Sequence, residues 1–163
     1  VECEFDSRPT HTNIHIRHYL RINNSMKLHN KQKGNIGEAA TALFLLKKGY
    51  PVFKELGDLS KVDLLTIINN RCYKIQVKNA SRETNKGSFT FNTIKYGPNY
   101  SYKYKKEDVD IFAVYISTID ELVFLGWGDL KNDTLNIRYK KSLNNQSKNI
   151  NWYEDFKNFD RLI

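Results

Sequence analysis

Two cysteines in 163 residues, Cys3 and Cys72, exclude a disulfide framework. That usage suits a reducing compartment, so the expected location is cytoplasmic: a bacterial, phage or organellar interior rather than a secreted setting. No apolar run approaches the length of a membrane span, and the longest, 39–46 and 111–116, are short enough to be core elements. The N-terminal stretch carries acids and no apolar h-region, which excludes a signal-peptide pattern, and it begins at Val1 rather than Met, as a fragment of a longer chain would. A Cys-x₂-Cys pair is missing, so a zinc-finger spacing is not available. There is no glycine-rich phosphate loop and no internal repeat.

What the chain does have is enough apolar material for one packed domain, at 40% hydrophobic residues. It also has a formal net charge of +8. The excess is local. Residues 61–106 hold 10 basic and 2 acidic residues, whereas 107–163 hold 7 and 10. A polyanion, above all nucleic acid, is the partner expected beside the central segment.

The centre of that segment is 62–78, VDLLTIINNRCYKIQVK. Leu64 to Ile68 form an apolar, partly β-branched run, and Asn69-Asn70 tolerates the positive φ of a hairpin turn. From Cys72 to Lys78 the residues alternate, with Tyr73, Ile75 and Val77 on one face and Lys74, Gln76 and Lys78 on the other. The spacing predicts a hairpin whose polar ends, Asp63 on one strand and Gln76 with Lys78 on the other, lie side by side.

Around it, 31–49 reads as a helix capped by Asn35 and closed by Gly49. Ile36, Ala39, Ala40, Leu43 and Leu46 or Lys47 follow helical spacing, and Glu38 falls in the first turn, where an acid also suits the helix dipole. Residues 50–54 read as an edge strand after Pro51, 57–61 as a loop, 88–92 as a strand, 111–116 as a buried strand, and 121–127 as another. The tail 142–163, with Trp152, Tyr153, Phe156 and Phe159, reads as a docking helix. Residues 1–30 read as an N-terminal arm or the tail of a preceding domain. Cys3 with His11, His15 and His18 makes a zinc-stabilised module there conceivable.

In 95–106, Tyr96, Tyr100, Tyr102 and Tyr104 interleave with Lys95, Lys103, Lys105 and Lys106. Rings can lie on sugars or bases while ammonium groups meet phosphates; alternatively, the tyrosines cover the core edge. Lys61, Lys95, Tyr96, Tyr100, Tyr102, Lys103, Lys105 and Lys106 are the expected DNA contacts.

Hydrolysis of a phosphodiester needs an attacking water, a divalent cation and charge stabilisation. Asp63 and Glu38 can offer carboxylates, Gln76 an amide oxygen, and Lys78 an ammonium for the water and phosphate. The order helix acid, strand, acid, hairpin, polar-x-Lys is more specific than any pair within it. The segments GNIGEAA, VDLL and YKIQVKNA together resemble the PD-(D/E)xK nuclease superfamily over roughly residues 33–116, most closely the endonucleases of group I introns, where a Gln-x-Lys form occurs.

That resemblance implies a restriction-endonuclease-like α/β (α+β) core, a mixed sheet flanked by helices, in a nuclease domain spanning 31–163. It also implies Mg²⁺-dependent hydrolysis of double-stranded DNA by a homing endonuclease. Mn²⁺ is expected to substitute for Mg²⁺. Glu38 corresponds to the acid of the first helix, Asp63 to the metal-binding acid, Gln76 to the first position of the motif and Lys78 to its lysine. Glu38, Asp63 and Gln76 are then the metal ligands, and all four residues are catalytic. Val62 stands where the motif has proline, and Gln76 where it usually has an acid. The second change removes a negative charge, so either Glu38 compensates, metal binding is weak, or the site is inactive. One such centre cuts one strand, so a homo-oligomer is expected. A Holliday-junction resolvase-like nuclease and an inactive DNA-binding module of the same fold are the alternatives.

Overall fold

The computed structural model describes residues 29–57, 60–84, 87–96, 99–141 and 150–163, without the side chains of 81–83 and 96. The predicted histidine-rich arm up to residue 28, Asp58 and Leu59 of the predicted loop, the Tyr96 ring, and 142–149 of the predicted tail helix lie outside the described residues. The chain divides into two units, Val1–Gln32 and Lys33–Ile163. Of the first, only residues 29–32 are described.

The first helix, α1, runs Asn30–Lys47. It ends as expected, with Gly49 at a φ of +80°. Its start and its inner face differ from expectation. It begins five residues before Asn35, so that residue is no cap and Glu38 lies in the body of the helix. Its buried residues are Gly37, Thr41 and Leu45, whereas Ile36, Leu43 and Leu46 are exposed. The run ATALFLL is apolar on all sides, so periodicity alone could not choose a face. Close approach to the sheet chose it. A Cβ on Gly37 would stand 3.0 Å from Asn79 Oδ1 and 3.4 Å from Val77 Cγ1.

The sheet beneath α1 has five strands. Strands β1 (Val52–Lys54), β2 (Leu64–Ile68) and β3 (Arg71–Asn79) pair antiparallel in sequence. Strand β8 (Ile111–Ile116) then lies parallel to β3, and β9 (Glu121–Gly126) antiparallel to β8. The order is β1-β2-β3-β8-β9, a mixed sheet with β1 at its edge, as Pro51 suggested. The β2–β3 turn carries Asn69 and Asn70 at φ of 50° and 61°, the left-handed pair a two-residue hairpin requires. Asp110 fixes the parallel pairing: its carboxylate accepts from Lys74 N at 2.8 Å and its own N donates to Lys74 O at 2.8 Å.

Strand β8 is buried along its whole length because both faces of the sheet are covered there. On the α1 face, Leu45, Leu64, Ile75, Ile111, Phe124 and Phe159 form one core cluster. On the other face, Phe112, Val114 and Leu125 pack with Phe89, Phe91, Leu135 and Ile137 of a second sheet. That sheet contains β4 (Ser81–Thr84), β5 (Ser88–Asn92), β10 (Thr134–Arg138) and β11 (Asn151–Trp152), in the order β11-β10-β5-β4. Strands β6 (Ile94–Tyr96) and β7 (Ser101–Lys103) form a separate antiparallel ribbon. The predicted C-terminal helix is replaced by two short pieces, a helix at Glu154–Lys157 and a 3₁₀ turn at Phe159–Leu162. Asn158 separates them in an extended conformation, its side chain accepting from Asp160 N. Phe156 and Phe159 are still buried, each from its own piece. Among the described residues, no helix is long and apolar enough to cross a membrane.

Candidate active site

Asp63 precedes β2 by one residue, and its backbone N donates to Ile75 O at 3.1 Å, extending the hairpin pairing by a step. This brings its carboxylate to Gln76 and Val77 in β3. Gln76 Nε2 donates to Asp63 Oδ2 at 2.5 Å and Val77 N donates to the same oxygen at 2.7 Å. One carboxylate oxygen is thus fixed by two donors, and Oδ1 is left out of both bonds. With its Nε2 committed to Asp63 and, at 3.2 Å, to Val77 O, Gln76 has Oε1 as its remaining polar atom.

Glu38 is carried toward this point because the preceding Gly37 seats α1 on Val77, Asn79 and Tyr115. Its negative charge reaches Asp63. Burial, chiefly, and then the Glu38 charge push the Asp63 carboxyl from its ordinary 3.8 up to about 6, against the Val77 hydrogen bond and the charges of Lys78 and Lys95. Glu38 Oε2 itself is held at 2.6 Å by Lys54 Nζ, from the end of β1. Lys54 pairs in register with Leu64, which explains its position beside the start of β2.

Lys78 lies two residues beyond Gln76 on β3. Burial lowers its ammonium pKa from 10.5 to about 8, with Asp63 opposing and the Lys95 charge adding to the fall. Its Nζ sits 4.6 Å from the centre of the Tyr104 ring. The structure therefore brings Asp63, Gln76 and Lys78 together, with Glu38 as an electrostatic neighbour tied to Lys54.

The expected DNA contacts divide into two groups. Lys61 Nζ pairs with Asp108 at 3.0 Å and lies 4.2 Å over the Tyr102 ring, while the Tyr102 hydroxyl donates to Asp108. Lys103 pairs with Asp133 at 2.8 Å. These residues brace the ribbon. Lys95, Tyr100, Lys105 and Lys106 are exposed, and the three lysines have no ion pair among the described residues. Two residues at the site escaped the sequence reading of its members. Lys54 had no signal beyond strand position. Tyr104 had one, the period of two from Tyr102, which sends alternate side chains of an extended segment to one side.

Among the described residues, no group of three or more His, Cys, Asp or Glu side chains converges on a metal-sized point. Two acids and an amide are what the site offers. That donor set still fits a hard divalent cation, which takes oxygen ligands and retains waters.

The sequence profile of the PD-(D/E)XK endonuclease family matches residues 28–159, which takes in α1, both sheets and all four residues above. The chain belongs to the PD-(D/E)XK endonuclease family. It is thus an endonuclease domain, of a class generally dependent on divalent metal. A solved bacterial homing endonuclease, I-Ssp6803I, matches with a TM-score of 0.64 at 20% sequence identity, over 74% of this chain and 86% of that one. At that identity the likeness concerns the fold, and the fold is the mixed, restriction-endonuclease-like sheet. No curated protein matches the sequence.

Proposed function

We propose that residues 31–163 form a Mg²⁺-dependent endonuclease that hydrolyses double-stranded DNA at specific sites, as a homing endonuclease in a reducing interior, with 1–30 as an N-terminal arm or the tail of a preceding domain. The observation that carries this reading is the state of Asp63. A carboxylate fixed by two donors at one oxygen, half-buried and close to a second acid, is held at a cost that a cation at Oδ1 would offset. The proposed ligands are Asp63 Oδ1, Gln76 Oε1 and Glu38, the last after turning from Lys54. Mn²⁺ has the same ligand preferences and is expected to substitute.

A bound cation supplies Lewis-acid polarisation of the phosphoryl oxygen and a more acidic water. Lys78 directs its N–H groups at the attacking water and at the charge that develops on the phosphorane oxygens. Its lowered pKa eases proton exchange with that water. Lys95, whose charge already reaches Asp63 and Lys78, offers a phosphate contact beside the scissile bond. Tyr100, Lys105 and Lys106 extend that contact along the duplex, with Lys61, Tyr102 and Lys103 behind them. A single centre cuts one strand, so a double-strand break calls for two copies.

The test is nicking of supercoiled plasmid with Mg²⁺ by wild type and Lys78→Ala. Wild type should nick, and the variant should be slower by about 10²-fold or more. Equal nicking by both, or none by wild type on any duplex, would refute the reading.

A further inference from the structure

We infer that Tyr104 is the positioning residue of Lys78: its buried ring face, not a carboxylate, holds the ammonium at the proposed catalytic centre. What Lys78 does there rests on the nuclease reading above; the ring–ammonium placement does not.

Lys78 Nζ lies 4.6 Å from the ring centroid, within the range in which the negative ring face attracts a cation. The ring is 2% exposed and fixed from several sides. Its backbone N donates to Thr93 O at 3.1 Å. Tyr102 meets it edge-on at 5.3 Å and Phe112 at 5.8 Å. Phe112 stands opposite Gln76 in the β3–β8 register and meets Trp127 at 5.5 Å. Trp127 Nε1 donates in turn to Val109 O at 2.6 Å. The ring is thus rigidly placed relative to the same strand that carries Lys78.

A ring suits the task better than an acid would. A carboxylate would neutralise the ammonium and occupy its N–H groups, whereas a ring face orients the charge without neutralising it and leaves the N–H groups that point away from the ring for water and phosphate. Lysine also has a flexible four-carbon stem, so a fixed partner for its tip determines where the charge sits. Burial, chiefly, and the Asp63 charge raise the Tyr104 phenol pKa, so it stays neutral and the ring keeps an uncharged face. Tyr104 directly follows Lys103 of β7, so the segment that carries the ribbon also sets the lysine.

The test compares Tyr104→Phe, which keeps the ring, with Tyr104→Leu and Tyr104→Met, which remove it at different volumes. In metal-free protein, the Lys78 ε-methylene protons, assigned by their loss in Lys78→Gln, should resonate upfield through ring current in wild type and Tyr104→Phe. They should return to ordinary positions in the aliphatic variants. In single-turnover cleavage with saturating enzyme, the aliphatic variants should lose about tenfold or more in rate while Tyr104→Phe regains most of it. DNA affinity measured without Mg²⁺ should change little in any of them. An ordinary ε-methylene position in wild type overturns the inference whether or not the variants fold. So does a folded aliphatic variant with the wild-type rate, or a Tyr104→Phe as slow as Tyr104→Leu. An upfield signal in a wild type that cuts nothing supports the placement and sinks the nuclease reading instead.

Discussion

At the scale of single residues, the site is defined by which oxygen is used. Both hydrogen bonds to Asp63 end on Oδ2. Asp63→Asn can therefore keep both through its amide oxygen and change only the outward atom and the charge. The carboxyl has a folded pKa near 6 against an ordinary 3.8. Between those values the folded state retains a proton that the unfolded state releases, so the carboxylate costs stability as pH rises through that window, and the full cost is present above about pH 6. Removing the charge should stabilise the metal-free protein by roughly 2 kcal/mol at pH 8 and by nearly nothing at pH 3.5, read by denaturation in EDTA. Cleavage should be lost, the usual exchange of stability for activity. A variant equal to wild type at both pH values would show that Asp63 is not held under electrostatic cost. Gln76→Glu tests the same point from the other side. Its oxygen would replace an amide donor 2.5 Å from Asp63 Oδ2. Two carboxylates at that distance cannot both ionise freely. The melting temperature in EDTA should fall by about 5 °C, and Mg²⁺ should raise it more than in wild type. A melting temperature unchanged in EDTA would mean that the amide is not needed as a donor.

At the scale of elements, α1 carries Glu38 to the sheet only because Gly37 lets it approach. Gly37→Val should destabilise by about 1–3 kcal/mol, since its branches would run into Asn79 and Tyr115, and should displace Glu38 with loss of nicking at temperatures where the protein is still folded. Gly34 has nothing within 4 Å of a built Cβ. Gly34→Ala should therefore stabilise by about 0.5–1 kcal/mol with unaltered nicking. Urea denaturation of the pair, with plasmid nicking, checks both. This contrast also explains what could be read in advance. The β2–β3 hairpin was legible because alternation and an Asn-Asn turn agree on one register. The inner face of α1 was not, because leucines on several sides gave no contrast, and the face was chosen by the smallest side chain rather than the most apolar. Of the second sheet only β5 was legible, from its alternation at 88–92; the ribbon and the other strands were hidden for a related reason. Those strands are two to five residues long, too short for alternation to stand out, and their polar faces resemble loop. Asp63, Gln76 and Lys78 could be paired from strand spacing. The Glu38–Lys54 bond could not, since it joins the helix to an edge strand through chain separation alone.

At the scale of the whole molecule, the positive charge is concentrated in residues 61–106, but part of it is already spent internally. Lys61 is held by Asp108 and Lys103 by Asp133, whereas Lys105 and Lys106 have no ion pair among the described residues. A lysine already paired with an acid displaces fewer counterions from DNA than one that is not. Binding to duplex DNA should therefore weaken steeply with salt. Each of Lys105→Gln and Lys106→Gln should lower the slope of log K against log salt by about one. Lys61→Gln should change that slope much less. Its effect should instead fall on the ribbon, because Asp108 would lose Lys61 and keep Tyr102, whose ring packs on Tyr104. Fluorescence anisotropy of a labelled duplex without Mg²⁺, at a series of salt concentrations, separates these outcomes. If all three variants lower the slope equally, the internal pairs open on binding and the ribbon lysines act as one uniform patch. If only Lys61→Gln lowers it, the duplex lies on the braced side of the ribbon, away from Lys105 and Lys106.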